Sequence, residues 1–317
     1  MREHMFRVIF VRDSTRLASI HAVLENQPAH AELVEAVYIG KNRHRLQLSI
    51  TFESIDTYLV PLIRRCGNLK ILAIDDSTAD PLALRELLVE LRTPSLQSLR
   101  MRVLSEVGTK VLEHHPCLQS LEVFGDDLNT PSILPSLREL YIRGSGPRFQ
   151  ISSLSSWQVT SLTTLVIDCN QAFIGEAQLE EALTPIASQL LYFSISAGIL
   201  DIGIRWITSR CANLETLCVS YSQLSRHDQM QHAEDNMIHN KVETLGLFMA
   251  FDLLEETRKF MMLNKENFPK LSRIKLLLYR DRAKHDNTVI PQHVVEWHEH
   301  CNRIGIRLED HAGKEIG

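Results

Sequence analysis

The chain reads as an α/β solenoid, with a curved parallel β-sheet along its concave side and helices and loops along its convex side. Three observations predict this. One pattern occurs three times between Pro94 and Ile142: Pro94-Ser95-Leu96-Gln97-Ser98-Leu99-Arg100-Met101, then Pro116-Cys117-Leu118-Gln119-Ser120-Leu121-Glu122-Val123, then Pro135-Ser136-Leu137-Arg138-Glu139-Leu140-Tyr141-Ile142. Each copy is a proline, a small residue, then apolar residues at positions one, four and six. The sixth position recurs at Ile74, Met101, Val123, Ile142, Ile167, Ile195, Val219, Leu247 and Leu276, spaced about 25 residues apart as in short-repeat solenoids. Between several of these strands the apolar period changes from 2 to 3.6, the mark of a helical return.

The pattern itself is the L-x-x-L-x-L signature of a leucine-rich repeat. At 317 residues the chain exceeds what one compact core usually holds, whereas a solenoid enlarges its core by stacking repeats. Apolar strands run from Val34 to Leu276 without a linker-like break, which predicts one continuous coil. The expected organisation is a strand-helix capping half-repeat over residues 1–32. Residues 33–317 then form irregular repeats, ending in an edge strand and a short polar tail.

Phe6–Val11 is rich in β-formers, and Asp13-Ser14 can cap a helix whose apolar face holds Leu17, Ile20, Val23 and Leu24 before Pro28. Val34-x-x-Val37-x-Ile39 is the first repeat strand. Leu46, Leu48 and Ile50 alternate as a further strand would, and Ile55–Arg65 carries Tyr58, Leu59, Leu62 and Ile63 at helical spacing. Further helical returns are expected at Leu82–Leu91, Ala177–Ala187, Ile202–Cys211, Leu253–Leu263 and Pro291–Cys301. Gly144-Ser145-Gly146-Pro147 and the serines of 152–156 predict a loop. Ile304–Leu308 is the last edge strand, and the tail beyond it has little expected order.

Three cysteines share a place: Cys66-Gly67-Asn68-Leu69, Cys211-Ala212-Asn213-Leu214 and Cys301-Asn302-Arg303-Ile304. Each ends a helical segment three residues before an apolar one, where a small apolar side chain fits under the helix-to-strand turn. That reading stands against a disulfide or a reactive thiol. The unit, best seen from Trp206 to Val219, resembles the cysteine-containing subtype of leucine-rich repeat typical of F-box proteins. In that family the repeats capture substrates for a Skp–cullin ubiquitin ligase. Phe6–Val11, the helix to Leu24 and Ala31–Val37 resemble the region just downstream of the F-box in fungal members. The helical F-box itself would precede Phe6 and has no counterpart in the first five residues. The resemblance therefore implies a substrate-receptor-like interaction protein, with a Skp-type adaptor only if an F-box is present outside this chain. The alternative is a free-standing interaction scaffold with no link to ubiquitin ligases.

A net charge of −5 argues against a nucleic-acid binder, which would carry a basic excess. No apolar run approaches the roughly 20 residues of a membrane span, and the charged start is no secretory signal. A cytoplasmic or nuclear location is expected. There is no phosphate loop, nucleotide fingerprint or nucleophile–base pairing, so no enzyme, cofactor or metal is expected. The insertion 221–240 holds His227, Asp228, His232, Glu234, Asp235 and His239. It contains no cysteine, and a spacing of five does not align His227 and His232 on a helix, so it reads as a polar surface loop. Trp297-His298-Glu299-His300 reads as a helix surface with Trp297 packed inward.

Alternation along each strand sends positions four and six into the coil and their neighbours to the concave face. That places Arg100, Arg102, Phe124, Tyr141, Arg143 and Tyr192 on the surface where solenoids bind. Arginine and aromatic residues are the types enriched in interface hot spots. The expected partner is a protein or peptide, with the arginines favouring an acidic or phosphorylated one. The competing expectation is a solvated face whose charges pair across strands.

Overall fold

The computed structural model describes residues 7–40, 55–75, 93–102, 112–124, 132–144, 151–200, 204–220, 241–248, 265, 268–277 and 292–316. They belong to two compact units, Met1–Leu162 and Thr163–Gly317. The expected strand at 46–50, the helices at 82–91 and 253–263, and the insertion 221–240 lie outside the described residues.

In the first unit β1 (Val8–Val11), β2 (Ala36–Gly40), β3 (Ile71–Asp75), β4 (Ser98–Arg102), β5 (Ser120–Phe124) and β6 (Glu139–Arg143) pair in parallel, in chain order. The register aligns the motif. Position four forms one row, Val37, Leu72, Leu99, Leu121 and Leu140, and every one of these side chains is fully buried. Ile39, Ile74, Val123 and Ile142 at position six are buried beside them. At about 25 cal/mol per Å² of apolar surface, each such leucine contributes roughly 2 kcal/mol.

The residues before each strand explain both the prolines and the cysteines. Position one donates its N–H to the carbonyl three residues back: Leu69 to Cys66, Leu96 to Thr93, Leu118 to His115 and Leu137 to Leu134, at 3.0–3.2 Å. Each is a four-residue turn. Pro94, Pro116 and Pro135 occupy its second position, which favours the fixed φ of proline. Cys66, Thr93, His115 and Leu134 occupy its first, and all four are buried. The two sequence signatures are thus one turn. Positions two and three then both donate to a single carbonyl of the preceding repeat, as Gln97 and Ser98 do to Lys70, and Gln119 and Ser120 to Gln97. These bonds satisfy carbonyls that the turn would otherwise leave orphaned.

The returns depart from expectation in detail. Asp13 caps the helix Ser14–Asn26 through Oδ1, which accepts the Arg16 N–H at 2.7 Å. The helix buries Leu17 and Leu24 but leaves Val23 exposed, so its apolar stripe is narrower than expected. Residues 55–65 form a π-helical turn, Ile55–Leu59, running into an α-helix, Val60–Arg65. The stretch read as a loop contains a 3-10 helix, Ile151–Ser156, because Ile151 and Leu154 sit one turn apart and are both buried.

In the second unit β7 (Thr164–Ile174), β8 (Tyr192–Leu200), β9 (Thr216–Ser220), β10 (Thr244–Phe248), β11 (Arg273–Leu276) and β12 (Arg307–Asp310) are also parallel and in chain order. Leu165, Phe193, Leu217, Leu245, Ile274 and Leu308 form the position-four row. β7 is long, and its register with β8 slips between Cys169 and Phe173. The returns include helices Glu176–Leu183, Ile204–Arg210 and Gln292–Arg303. Trp297 and Cys301 of the last helix are buried. Cys211 takes the same turn as Cys66, accepting from Leu214 at 3.1 Å. Cys301 does not. It lies inside its helix, which closes on Gly305 at φ 69° with Gly305 N–H to Asn302 and Ile306 N–H to Cys301, the paired closure of a left-handed C-terminal residue.

The last strand begins later than expected, and the tail is ordered. Residues 311–316 fold back so that Glu315 bridges Glu309 antiparallel and the Ile316 N–H reaches Leu308. Asp310 accepts the N–H groups of Lys314 and Ala312, which lower its carboxyl below the usual range. The tail covers a sheet edge whose backbone groups would otherwise be open to pairing. Both units have the α/β leucine-rich repeat solenoid architecture.

Candidate binding surface

Position five of the motif is the one that faces outward between two buried neighbours. Register in the first unit joins these residues into one row crossing six strands: Phe10, Tyr38, Ala73, Arg100, Glu122 and Tyr141. All six line a single groove of about 440 Å³. Its two ends differ. At β1 and β2, Phe10 and Tyr38 stack with ring centroids 5.1 Å apart and planes 15° apart, and Phe10 is 56% exposed. An aromatic ring so open to water on a sheet face is an apolar contact area without a cover among the described residues.

At β4 to β6 the surface is charged. Glu122 forms ion pairs with two arginines: Arg100 Nε lies 3.0 Å from its Oε2 and Arg143 Nε 2.8 Å from its Oε1, with neither Arg100 Nε nor Glu122 Oε1 in hydrogen-bond geometry. Glu122 stands directly opposite Arg100, and Arg143 lies on the diagonal, both within cross-strand reach. The Glu122 side chain is only 14% exposed, against 34% for Arg100 and 45% for Arg143. Tyr141 sits opposite Glu122 and is half-buried. Burial pushes its hydroxyl pKa up, and the carboxylates of Glu139 and Glu122, with a hydrogen bond to Glu139, push it further. The arginines expected to await an acidic partner are thus already engaged across strands with a carboxylate of their own sheet.

The other expected residues are placed less fully. Arg102 and Phe124 pair in register, and Phe124 pairs with Arg143, but their side chains lie outside the described residues. Tyr192 belongs to the second unit, in register with Thr164 and Thr216. There the position-five row is Val166, Ser194, Cys218, Gly246, Lys275 and Glu309, and it has a different character. Tyr192 Oη lies 3.4 Å from Cys218 Sγ, and Ser194 and Cys218 are buried. Ser194, at the fifth position that alternation sends to the outer face, is instead covered. Burial raises the Cys218 pKa despite hydrogen bonds from Tyr192 and the Gly246 backbone.

Phe10 and Tyr38 were legible as strand residues but not as a surface. Tyr38 does occupy position five of Val34-x-x-Val37-x-Ile39, the same place as Tyr141, and that equivalence was the available signal. Phe10 precedes the first recognisable repeat and carried none. Among the described residues no group of three His, Cys, Asp or Glu side chains could hold a metal ion, and no helix is long and apolar enough to cross a membrane.

No protein-family model and no curated protein matches the sequence. Among solved structures, the chain is similar to the leucine-rich repeat-containing protein LegL7 from Legionella pneumophila, at 14% identity and a TM-score of 0.43, over 98% of this chain and 92% of that one. The repeat architecture is defined here by the strands, their register and their buried rows, independently of that likeness.

Proposed function

We propose that this protein is a non-enzymatic protein-interaction module that recognises its partner on the solvent face of the first unit's sheet. The observation carrying this reading is the position-five groove: it crosses six strands, about 24 Å at the usual 4.8 Å spacing, and pairs an exposed aromatic stack with a charged cluster. A groove of that length suits an extended chain or a protein loop better than a compact small molecule. The face belongs to a sheet whose other side is fully buried, so its side chains can be changed without emptying the core.

An intracellular location, cytoplasmic or nuclear, goes with this reading, as all six cysteines are free. A role as substrate receptor for a Skp–cullin ubiquitin ligase draws its support from sequence resemblance, in the cysteine-containing repeat and in the opening segment to Val37. Copurification of a Skp-type adaptor with the natural full-length product would favour it, and its absence from a ligase complex would favour the free-standing scaffold.

The test is affinity capture with three proteins: wild type, a Phe10→Ala/Tyr38→Ala/Tyr141→Ala variant, and a Thr15→Ala/Ser19→Ala/Asn26→Ala variant on the helical side. The groove variant should lose the specific partner at unchanged thermal stability, while the helical variant keeps it. Equal capture by the groove variant, or loss in the helical one alone, would place recognition elsewhere.

A further inference from the structure

We infer that the groove reads an extended peptide segment carrying an aliphatic or aromatic anchor and, about five residues away, an acidic residue, and that Glu122 sets how strongly the acidic position counts. The inference rests on the binding reading above and adds the chemistry of the occupant.

The anchor follows from the Phe10–Tyr38 stack, which offers two parallel rings with Phe10 more than half exposed. The acidic position follows from the charge balance. Arg100 and Arg143 both pair with the one carboxylate of Glu122, two cations to one anion in that triad, while Arg12 stands at the opposite, β1 end of the groove. The excess is held close, because Arg100 and Arg143 approach one carboxylate from opposite sides. Glu122 occupies the place between two guanidiniums that an incoming carboxylate would share. Both arginines keep a third or more of their surface in water, so a second carboxylate can approach without dislodging the first.

Spacing fixes the separation. From the midpoint of β1 and β2 to β5 is three and a half strand intervals, about 17 Å. An extended peptide advances about 3.4 Å per residue, which gives about five residues from anchor to acid. Between the two ends the row narrows to Ala73, and Ser98 and Ser120 line the same groove. These small side chains leave room for backbone to cross.

The experiment is selection from a phage-displayed library of random linear peptides against the whole chain, followed by binding of the selected peptides to variants. The expected yield is peptides with an apolar residue and Asp or Glu four to six positions apart. Phe10→Ala or Tyr38→Ala should weaken them about tenfold, as for hot-spot aromatics. Glu122→Gln should tighten acidic peptides by about threefold or more and leave their Asp→Asn and Glu→Gln analogues unchanged, with the effect shrinking in high salt. Selected peptides that depend on Tyr38 but show no acidic position, or that ignore Glu122→Gln, overturn this inference and leave the binding face standing. Peptides unaffected by Tyr38→Ala, or a selection without a shared pattern, overturn both. Unaltered melting temperatures of the variants exclude misfolding as the cause.

Discussion

Gly246→Ala provides a quantitative test of the second unit's register. Gly246 in β10 lies between Cys218 and Lys275 in the position-five row, and its backbone is not in the left-handed region. Space, rather than conformation, therefore requires glycine. An added Cβ would stand 2.4 Å from Cys218 Sγ, 2.9 Å from Leu277 Cδ1 and 3.1 Å from Cys218 Cβ. The leucine methyl can swing aside, but the thiol is buried and hydrogen-bonded to Tyr192. Overpacking of this kind costs about 1–3 kcal/mol, against a gain of about 0.4–1 kcal/mol from the stiffer unfolded chain. The net expectation is a loss of about 1–2 kcal/mol. Cys218→Ala alone should also destabilise, by about 1 kcal/mol for a small buried side chain. Combined with Gly246→Ala it removes the closest clash and leaves the tight Cβ contact, so the double variant should recover about 1 kcal/mol relative to additivity. Urea denaturation of the four proteins, read as transition midpoints at constant slope, measures this. A stabilised Gly246→Ala, or strictly additive effects, would show that residues 218 and 246 are not opposed and would refute the register.

Leu121→Asp should be severely destabilising, by several kcal/mol, because it puts a carboxylate at a fully buried position-four site; a soluble variant with an unchanged melting temperature would remove Leu121 from the core. Asp13→Ala should cost about 1 kcal/mol through loss of the cap on the Arg16 N–H, seen as a lower urea midpoint. Burial pushes the Cys66, Cys211 and Cys301 thiols from 9.0 up to about 12. A raised folded pKa means stability is whole below pH 9 and falls as pH rises towards 12, by up to about 1.4 kcal/mol per pH unit per thiol. Alkaline titration of the urea midpoint checks this, and Cys66→Ala should flatten the slope. The same thiols should react with an aromatic disulfide reagent far more slowly in the folded protein than in urea.

The repeat pattern determined the strands from β2 to β11, their order within each unit, and the buried position-four rows. A parallel coil leaves little choice once every repeat strand carries an apolar residue, most often Leu, at position four: slipping the register by one residue would turn that row to solvent. The Pro-x-Leu and Cys-x-x-Leu signatures were likewise legible, though only the structure showed that both are the same turn, since proline and cysteine occupy different positions in it. Tertiary structure decided what sits on the outer face. Alternation could name Arg100, Tyr141 and Arg143 as outward, but whether they meet a partner or each other depends on what stands opposite, and Glu122 comes from a different repeat. The exposure of Phe10 and the burial of Ser194 at equivalent positions have the same origin. Position five is defined within one strand, whereas its exposure is set by the length of side chains on the strands beside it: in the second unit Tyr192 reaches over Cys218, and in the first only Tyr38 flanks Phe10 among the described strands.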